Sequence, residues 1–288
     1  MKKSDVFLEE ELLKFLKEDV GLGDITTEAV IPEKSEIRAQ IIVKEPAVVA
    51  GILEVKALFE MVGTLVACLV EDGDEVRPRT VVAEIEGDAR SILTAERTAL
   101  NILMRMSGIA TATRKLVRKI KDAGFNTRIA ATRKTAPGLR YFDKKAVMIG
   151  GGDPHRFRLD DAVLIKDNHI MIAGGIEEAI KRVRAVVSFS KKIEVEAKTV
   201  AQAIAAAKLG ADIIMLDNMT VKEFEETMET LETLDLRDKV LIEISGNINE
   251  ENILEYAKLE PDVISLGSLT HSVKAVDVSL EVVEVKTQ

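Results

Sequence analysis

Several short apolar runs in this 288-residue chain end in side chains that could bind or transform an anion. Thr132-Arg133-Lys134, Lys166-Asp167 and Asp217-Asn218 each follow such a run, and Glu194 and Glu196 lie inside another. In an extended chain, residues two apart face the same side, so both glutamates point one way. Two lysines, an arginine and two acids arriving together are harder to obtain from ordinary turn chemistry alone. The loops Ser245-Gly246-Asn247 and Gly267-Ser268 follow two further runs. Backbone N–H groups in such glycine-bearing helix entries favour a phosphate. Taken singly, each signal has an ordinary reading. Arg133 and Lys134 fit a solvated surface, and Glu194 is as readily a structural ion-pair partner of a helix lysine as a functional group. His169 and His271 fit hydrogen bonds to loop backbone, with that reading preferred for His169. Asp153 and Asp167 fit turns or supports.

The elements that must hold these residues alternate in type. Strands are expected at 128–131, 163–165, 193–197, 213–216, 240–244 and 263–266. Amphipathic helices are expected between them, at 176–187, 200–209, 221–231 and 250–259. Strand–helix alternation implies a parallel sheet or a β/α barrel. Ligands in both architectures bind at the carboxyl ends of strands, where the polar exits above fall. A barrel also often binds phosphate after its last strands. Before Gly124 the pattern is mixed, with strands expected near 37–44 and 81–85. A helix over about 91–106 is expected to break at Ser107-Gly108, and a second one to run to Ala123.

Composition narrows the classes. The chain is 47% apolar and 31% charged, which excludes wholesale disorder. Its net charge of −9 argues against nucleic-acid binding by overall charge. From 126 to 169, however, nine Lys/Arg face five Asp, a local excess of +4 and a hint of an anion site. No run reaches the roughly 18 apolar residues of a membrane span, and the start leads into Glu9-Glu10-Glu11 rather than a signal core. A cytoplasmic protein is expected, with no membrane partner. The lone Cys68 excludes an internal disulfide, and its apolar run suits a small buried residue. The three histidines lack zinc-site spacing, and no phosphate-binding P-loop or complete dinucleotide fingerprint is present.

A wider set of strings then falls in one order: Ala95-Glu-Arg-Thr-Ala-Leu-Asn101, Ser107-Gly-Ile-Ala-Thr111, Thr132-Arg-Lys-Thr135, Gly150-Gly-Gly-Asp-Pro-His-Arg156, Leu164-Ile-Lys-Asp-Asn-His169, Glu194-Val-Glu196, Leu216-Asp-Asn218, Ser245-Gly246 and Gly267-Ser-Leu-Thr-His-Ser272. Together they closely resemble the quinolinate phosphoribosyltransferases, over nearly the whole chain. Where the family usually has Ser-Gly-Gly, this chain has Ser245-Gly246-Asn247. Asparagine tolerates left-handed backbone better than most residues, so the loop is expected to keep its shape.

The resemblance implies an α/β protein with an incomplete, seven-stranded β/α barrel at 109–274. It also implies an N-terminal α/β sandwich domain at 1–108, joined by the tail 275–288. The seventh strand is expected around 144–149. The reaction implied converts quinolinate and phosphoribosyl pyrophosphate, with Mg2+, to nicotinate mononucleotide, pyrophosphate and CO2 in NAD synthesis. By the same resemblance, Arg133, His155 and Arg156, with Thr132 and Lys134, would hold quinolinate, and Arg97 would reach in from a neighbouring subunit of a homodimer or hexamer. Lys166 would lie near the ribosyl pyrophosphate. Glu196 and Asp217 would hold ribose hydroxyls and hydrated Mg2+, and Ser245, Gly246, Asn247, Gly267, Ser268 and His271 the 5′-phosphate. Lys134, Lys166, Glu196 and Asp217 would be the catalytic set. Two alternatives stay open: a paralogous enzyme such as nicotinate phosphoribosyltransferase or the molybdenum-operon homologue, and a non-catalytic metabolite-binding barrel.

Overall fold

The computed structural model describes residues 3–286 and divides into two compact units. The first holds residues up to Ala112, residues 148–150 and those from Val273 onward. Its elements are α1 (Lys3–Val20), α2 (Ile25–Val30), β1 (Glu36–Val43), β2 (Ala47–Val48), α3 (Ile52–Met61), β3 (Leu65–Cys68), β4 (Glu75–Val76), β5 (Thr80–Asp88) and the start of α4 (Ala89–Asp122). An antiparallel sheet in the order β12-β1-β5-β3 carries it, β12 being the late strand Val278–Lys286. β1 shows why the sheet forms. Ile37, Ala39, Ile41 and Val43 are buried on one face, while Glu36 and Arg38 are exposed on the other. This is the period-two pattern of a sheet packed on one side.

The second unit covers 113–147 and 151–272. After the end of α4 come β6 (Arg128–Ala130), α5 (Arg140–Ile149), β7 (Val163–Ile165), α6 (Asp167–Ala173), α7 (Ile176–Val186), β8 (Ile193–Ala197), α8 (Val200–Lys208), β9 (Ile213–Asp217), α9 (Val221–Thr233), β10 (Leu241–Ser245), α10 (Ile253–Ala257), β11 (Val263–Ser265) and α11 (Ser268–His271). Six parallel strands form one sheet in the order β6-β11-β10-β9-β8-β7. All five residues of β8 are buried, as a strand covered on both faces requires. Thr199 and Thr220 cap α8 and α9, the latter with Glu223 in a reciprocal capping box. This is the open, incomplete β/α barrel.

Two expectations are corrected here. The segment 144–149 is not a strand but the end of α5. Its buried Phe142, Ala146 and Val147 recur at helical rather than alternating spacing. Beyond β6 the barrel continues only as a single parallel bridge between Ala130 and Asp153. The helix also does not break at Ser107-Gly108, because α4 runs unbroken for 34 residues. Gly108 is there for space. A Cβ would sit 2.1 Å from the main-chain oxygen of Lys274, so only glycine lets the C-terminal segment pass. Ser107 donates its hydroxyl to Ala50 O and accepts from Ala50 N–H, so its polar group is used within the fold.

Candidate active site

The carboxyl ends of β6 to β10 surround a cavity of about 270 Å³. Thr132, Arg133 and Lys134 enter from the exit of β6, and His155 and Arg156 from the loop before β7. Lys166 enters after β7, Glu196 from β8, Asp217 from the end of β9, and Glu243 and Ser245 from β10. Leu164 and Met215 supply apolar wall. Strand register explains the grouping. Glu196 and Glu243 both align with Met215, one on each side, and Asp217 aligns with Ser245 at the next level up. Register thus stacks an acidic level beneath a second acid and a hydroxyl.

The deepest polar cluster is a histidine between two glutamates. His155 Nε2 lies 3.2 Å from Glu243 Oε2 and 3.4 Å from Glu194 Oε2, and both glutamates are buried. Burial opposes charge on the ring, but the two carboxylates outweigh it and raise the His155 pKa to about 10. Burial, with Glu243 nearby, raises Glu194. Arg156 N–H points at Nδ1 from 2.8 Å, a contact that a doubly protonated ring cannot accept. The two demands therefore compete. Two buried carboxylates outweigh one neutral donor, and the cation prevails at neutral pH. The proton on Nε2 is common to both forms. Among the described residues these three side chains are the one group of three or more His, Cys, Asp or Glu close enough to hold a cation.

Above this cluster the cavity is cationic. Arg156 is lowered from its usual pKa by burial and then by the Arg133 guanidinium, so the two arginines stand close enough to repel. Arg133 Nε is buried and makes no hydrogen bond. Arg156 donates an Nη1–H to Ala162 O at 3.1 Å, which orients its guanidinium. Lys166 Nζ lies 3.3 Å from Glu196 Oε2, pairing a half-exposed base with a buried acid. Lys134 is exposed; its N–H donates to Thr132 Oγ1, and its carbonyl accepts from the Thr270 hydroxyl.

Of the two glycine loops, the one at Gly267 lies against Lys134 and the one at Gly246 against Asn218. A Cβ on Gly267 would lie 2.9 Å from Lys134 Cδ and 3.1 Å from the His271 ring, so a side chain there would displace both. Gly246 and Asn247 have φ of +98° and +53°. The left-handed conformation expected of Asn247 is what the loop adopts, and its Nδ2 donates to Asn218 Oδ1 at 3.0 Å. Ser268 opens the short helix α11, and His271 closes it with Nδ1 2.7 Å from Ser272 Oγ.

Other readings are now placed. His169 Nδ1 accepts the Lys166 backbone N–H at 2.9 Å, the loop role preferred for it. Asp153 Oδ1 accepts His155 N–H, and Asp167 pairs with Lys198 at 2.5 Å. Glu194 does not pair with a helix lysine, because strand pleating turns it inward to His155. Arg97 lies in the first unit on α4, its side chain 58% exposed. Glu96, its sequence neighbour, reaches to 3.9 Å from it. Glu243 was not among the expected site residues. Its signal is the one Glu194 carries, an acid inside an apolar strand.

A β/α barrel with a cationic cavity and two small glycine loops at the strand ends defines a phosphate-handling transferase. Two family sequence patterns cover the chain: the quinolinate phosphoribosyl transferase N-terminal domain over residues 24–107 and the C-terminal domain over 109–281. The chain is 52% identical over 274 residues to the probable nicotinate-nucleotide pyrophosphorylase [carboxylating] of Methanocaldococcus jannaschii, covering 94% of this chain and 96% of that protein. It is 36% identical over 253 residues to the nicotinate-nucleotide pyrophosphorylase [carboxylating] of Homo sapiens, covering 88% and 84%. The solved nicotinate-nucleotide pyrophosphorylase from Francisella tularensis superposes with a TM-score of 0.89 at 36% identity, over 98% of both chains. The chain belongs to the quinolinate phosphoribosyl transferase family.

Proposed function

We propose that this cavity carries the family's reaction and that the side chains described above divide its labour. The protein is a decarboxylating quinolinate phosphoribosyltransferase, an enzyme of NAD biosynthesis. It joins the phosphoribosyl group of phosphoribosyl pyrophosphate to the pyridine nitrogen of quinolinate. Pyrophosphate and CO2 leave, and nicotinate mononucleotide remains.

The observation that carries the assignment of residues is the cationic wall: Arg133 and Arg156 close enough to repel, with a buried Arg133 Nε lacking an acceptor. Quinolinate is a planar dianion. The planar forks of Arg133 and Arg156, with Thr132, Lys134 and His155, suit its two carboxylates. A ligand with one carboxylate leaves part of this wall unpaired, which is costly in a desolvated site. Lys166 stands beside the departing pyrophosphate. Glu196 and Asp217 face the ribose, where departure of pyrophosphate develops positive charge that carboxylates stabilise. Ser245, Gly246, Asn247, Gly267, Ser268 and His271 receive the 5′-phosphate. Once the ring nitrogen is joined to the ribose it is cationic. The electron pair of the breaking C–C bond then stays on the ring carbon beside the cationic nitrogen, which stabilises it as the adjacent carboxylate leaves as CO2, and a proton from solvent takes the vacated position.

The donor set also suits magnesium, since Glu196 and Asp217 offer hard carboxylate oxygens from adjacent strands β8 and β9. When bound, magnesium would neutralise the pyrophosphate and ease its departure. We extend the proposal to a homodimer or hexamer in the cytoplasm, with the partner subunit's Arg97 completing the quinolinate site. Arg97 fits that role by its exposure and its weak tie to Glu96.

The test supplies quinolinate or nicotinate with phosphoribosyl pyrophosphate and magnesium and follows products by mass. Quinolinate should be consumed with one CO2 per nicotinate mononucleotide. Equal turnover of nicotinate without CO2 would transfer the protein to the nicotinate phosphoribosyltransferases.

A further inference from the structure

Lys144 on α5 is fully buried, an unusual place for an ammonium. Its Nζ donates to the main-chain oxygens of Pro154 and, at 2.7 Å, of Arg156. Those two carbonyls bracket His155, whose φ is +52°, a left-handed backbone disfavoured for a residue with a Cβ. The ammonium also lies 5.3 Å from the centre of the Phe157 ring. Keeping a lysine here is unfavourable: burial, then Arg140, lower its pKa to about 8. An apolar side chain would fill the same space without that penalty, but it could not hold two carbonyls at once.

The rest of the loop is tied from other sides. Asp153 Oδ1 accepts His155 N–H at 2.7 Å, and Asp153 is itself held to β6 through Ile129 O. Asp161 Oδ2 accepts the N–H groups of Phe157 and Arg158. A strained residue persists only where its surroundings over-determine it. Lys144 is the one group in this set that reaches the chain on both sides of the strained residue.

We propose that Lys144 is a positioning residue for quinolinate recognition: by gathering the Pro154 and Arg156 carbonyls it fixes the left-handed turn that aims His155 and Arg156 into the cavity. The proposal rests on the reading of His155 and Arg156 as quinolinate contacts, and it assigns Lys144 no contact with substrate.

The test compares Lys144→Met, His155→Ala and the double variant in the full-length protein. Folding is checked by thermal melting, and quinolinate affinity and the KM for phosphoribosyl pyrophosphate are measured separately. Lys144→Met should weaken quinolinate binding about tenfold or more, with the KM for phosphoribosyl pyrophosphate changed less than about twofold. In the His155→Ala background the same exchange should have a clearly smaller effect, because coupled residues are non-additive. Equal loss toward both substrates, or full additivity with His155→Ala, would overturn the proposal. If Lys144→Met does not fold, Lys144→Gln replaces it; its amide can still donate to one carbonyl, and a smaller but still selective loss is expected. Failure of both variants to fold would make Lys144 a requirement of the barrel rather than of the loop, and would also overturn it. A His155→Ala variant with wild-type quinolinate affinity would instead sink the reading of the site while leaving the loop geometry as described.

Discussion

The barrel has a cavity at each end, and the larger is not the candidate active site. At the amino ends of β6, β10 and β11, residues 124–128, Leu241 and 260–263 line about 340 Å³. The catalytic candidate at the carboxyl ends measures about 270 Å³. At the amino end, charge is tied into the frame. Arg237 pairs with Asp262 at 3.1 Å, and Asp262 Oδ2 accepts Ile242 N–H. At the carboxyl end, two arginines crowd each other and a buried guanidinium nitrogen lacks an acceptor. Charge left for a ligand, rather than volume, distinguishes the two. The parallel sheet explains the asymmetry, because every strand delivers its polar exit to the same end.

The sharpest way to break this comparison is to remove an acid at the carboxyl end. Glu196→Ala or Asp217→Ala should lower kcat by about 100-fold or more, the usual scale for one transition-state contact. Quinolinate binding without the second substrate, followed by calorimetry, should be nearly unchanged. Wild-type turnover of both variants at saturating magnesium would refute their role.

Next comes the shared site. Arg97→Ala should lose roughly 10- to 100-fold in quinolinate affinity, as expected for one charge-assisted contact of about 1.5–3 kcal/mol. Arg97→Ala and Lys134→Ala chains, each nearly inactive, should regain activity when dissociated and reassembled together. A mixed dimer would contain one intact site. No regain in verified mixed dimers, or a fully active monomer, would show that each chain builds its own.

The buried histidine gives a pH signature. Its pKa is raised from 6.5 to about 10 in the folded state, so its contribution to stability is complete below about pH 6.5 and fades as pH rises toward 10. The stability difference between the wild type and His155→Gln, measured by urea unfolding, should shrink across that window. A difference constant from pH 6.5 to 10 would mean that the ring is not held as a cation.

The smallest effect belongs to the other end. Asp262→Asn keeps an acceptor for Ile242 N–H but loses the charge facing Arg237. It should cost about 0.2–1 kcal/mol in unfolding free energy and leave kcat untouched. A fall in kcat or a rise in substrate KM would give that cavity a part in function.

Much of this site was legible because its signals are local. A polar residue at the end of an apolar run marks a strand exit wherever the strand lies, and four such exits named Arg133, Lys134, Lys166, Asp217 and Ser245. Asn247 could be trusted with a left-handed turn from its side-chain chemistry alone. The family was legible from the order of its motifs. Local pattern misled where packing overrode it. Gly108 reads as a helix break, but it lies within a continuous helix and is glycine because another segment passes too close for a Cβ. Residues 144–149, where the family resemblance implies a strand, instead end the helix α5.

By itself, then, the sequence determined the alternation of strands and helices, the end of the sheet that would be polar, and the chemical character of its exits. These follow from side-chain periodicity and from the rule that parallel strands point one way. Tertiary structure alone decided which acids meet which bases. His155 and Glu243 are 88 positions apart and meet at 3.2 Å, and strand register sets Glu196 and Glu243 on either side of Met215. Lys144 gains its partners only because α5 packs beneath the loop of His155. Such pairings depend on strand register and on the desolvation of groups distant in the chain, and neither is encoded in any short window of residues.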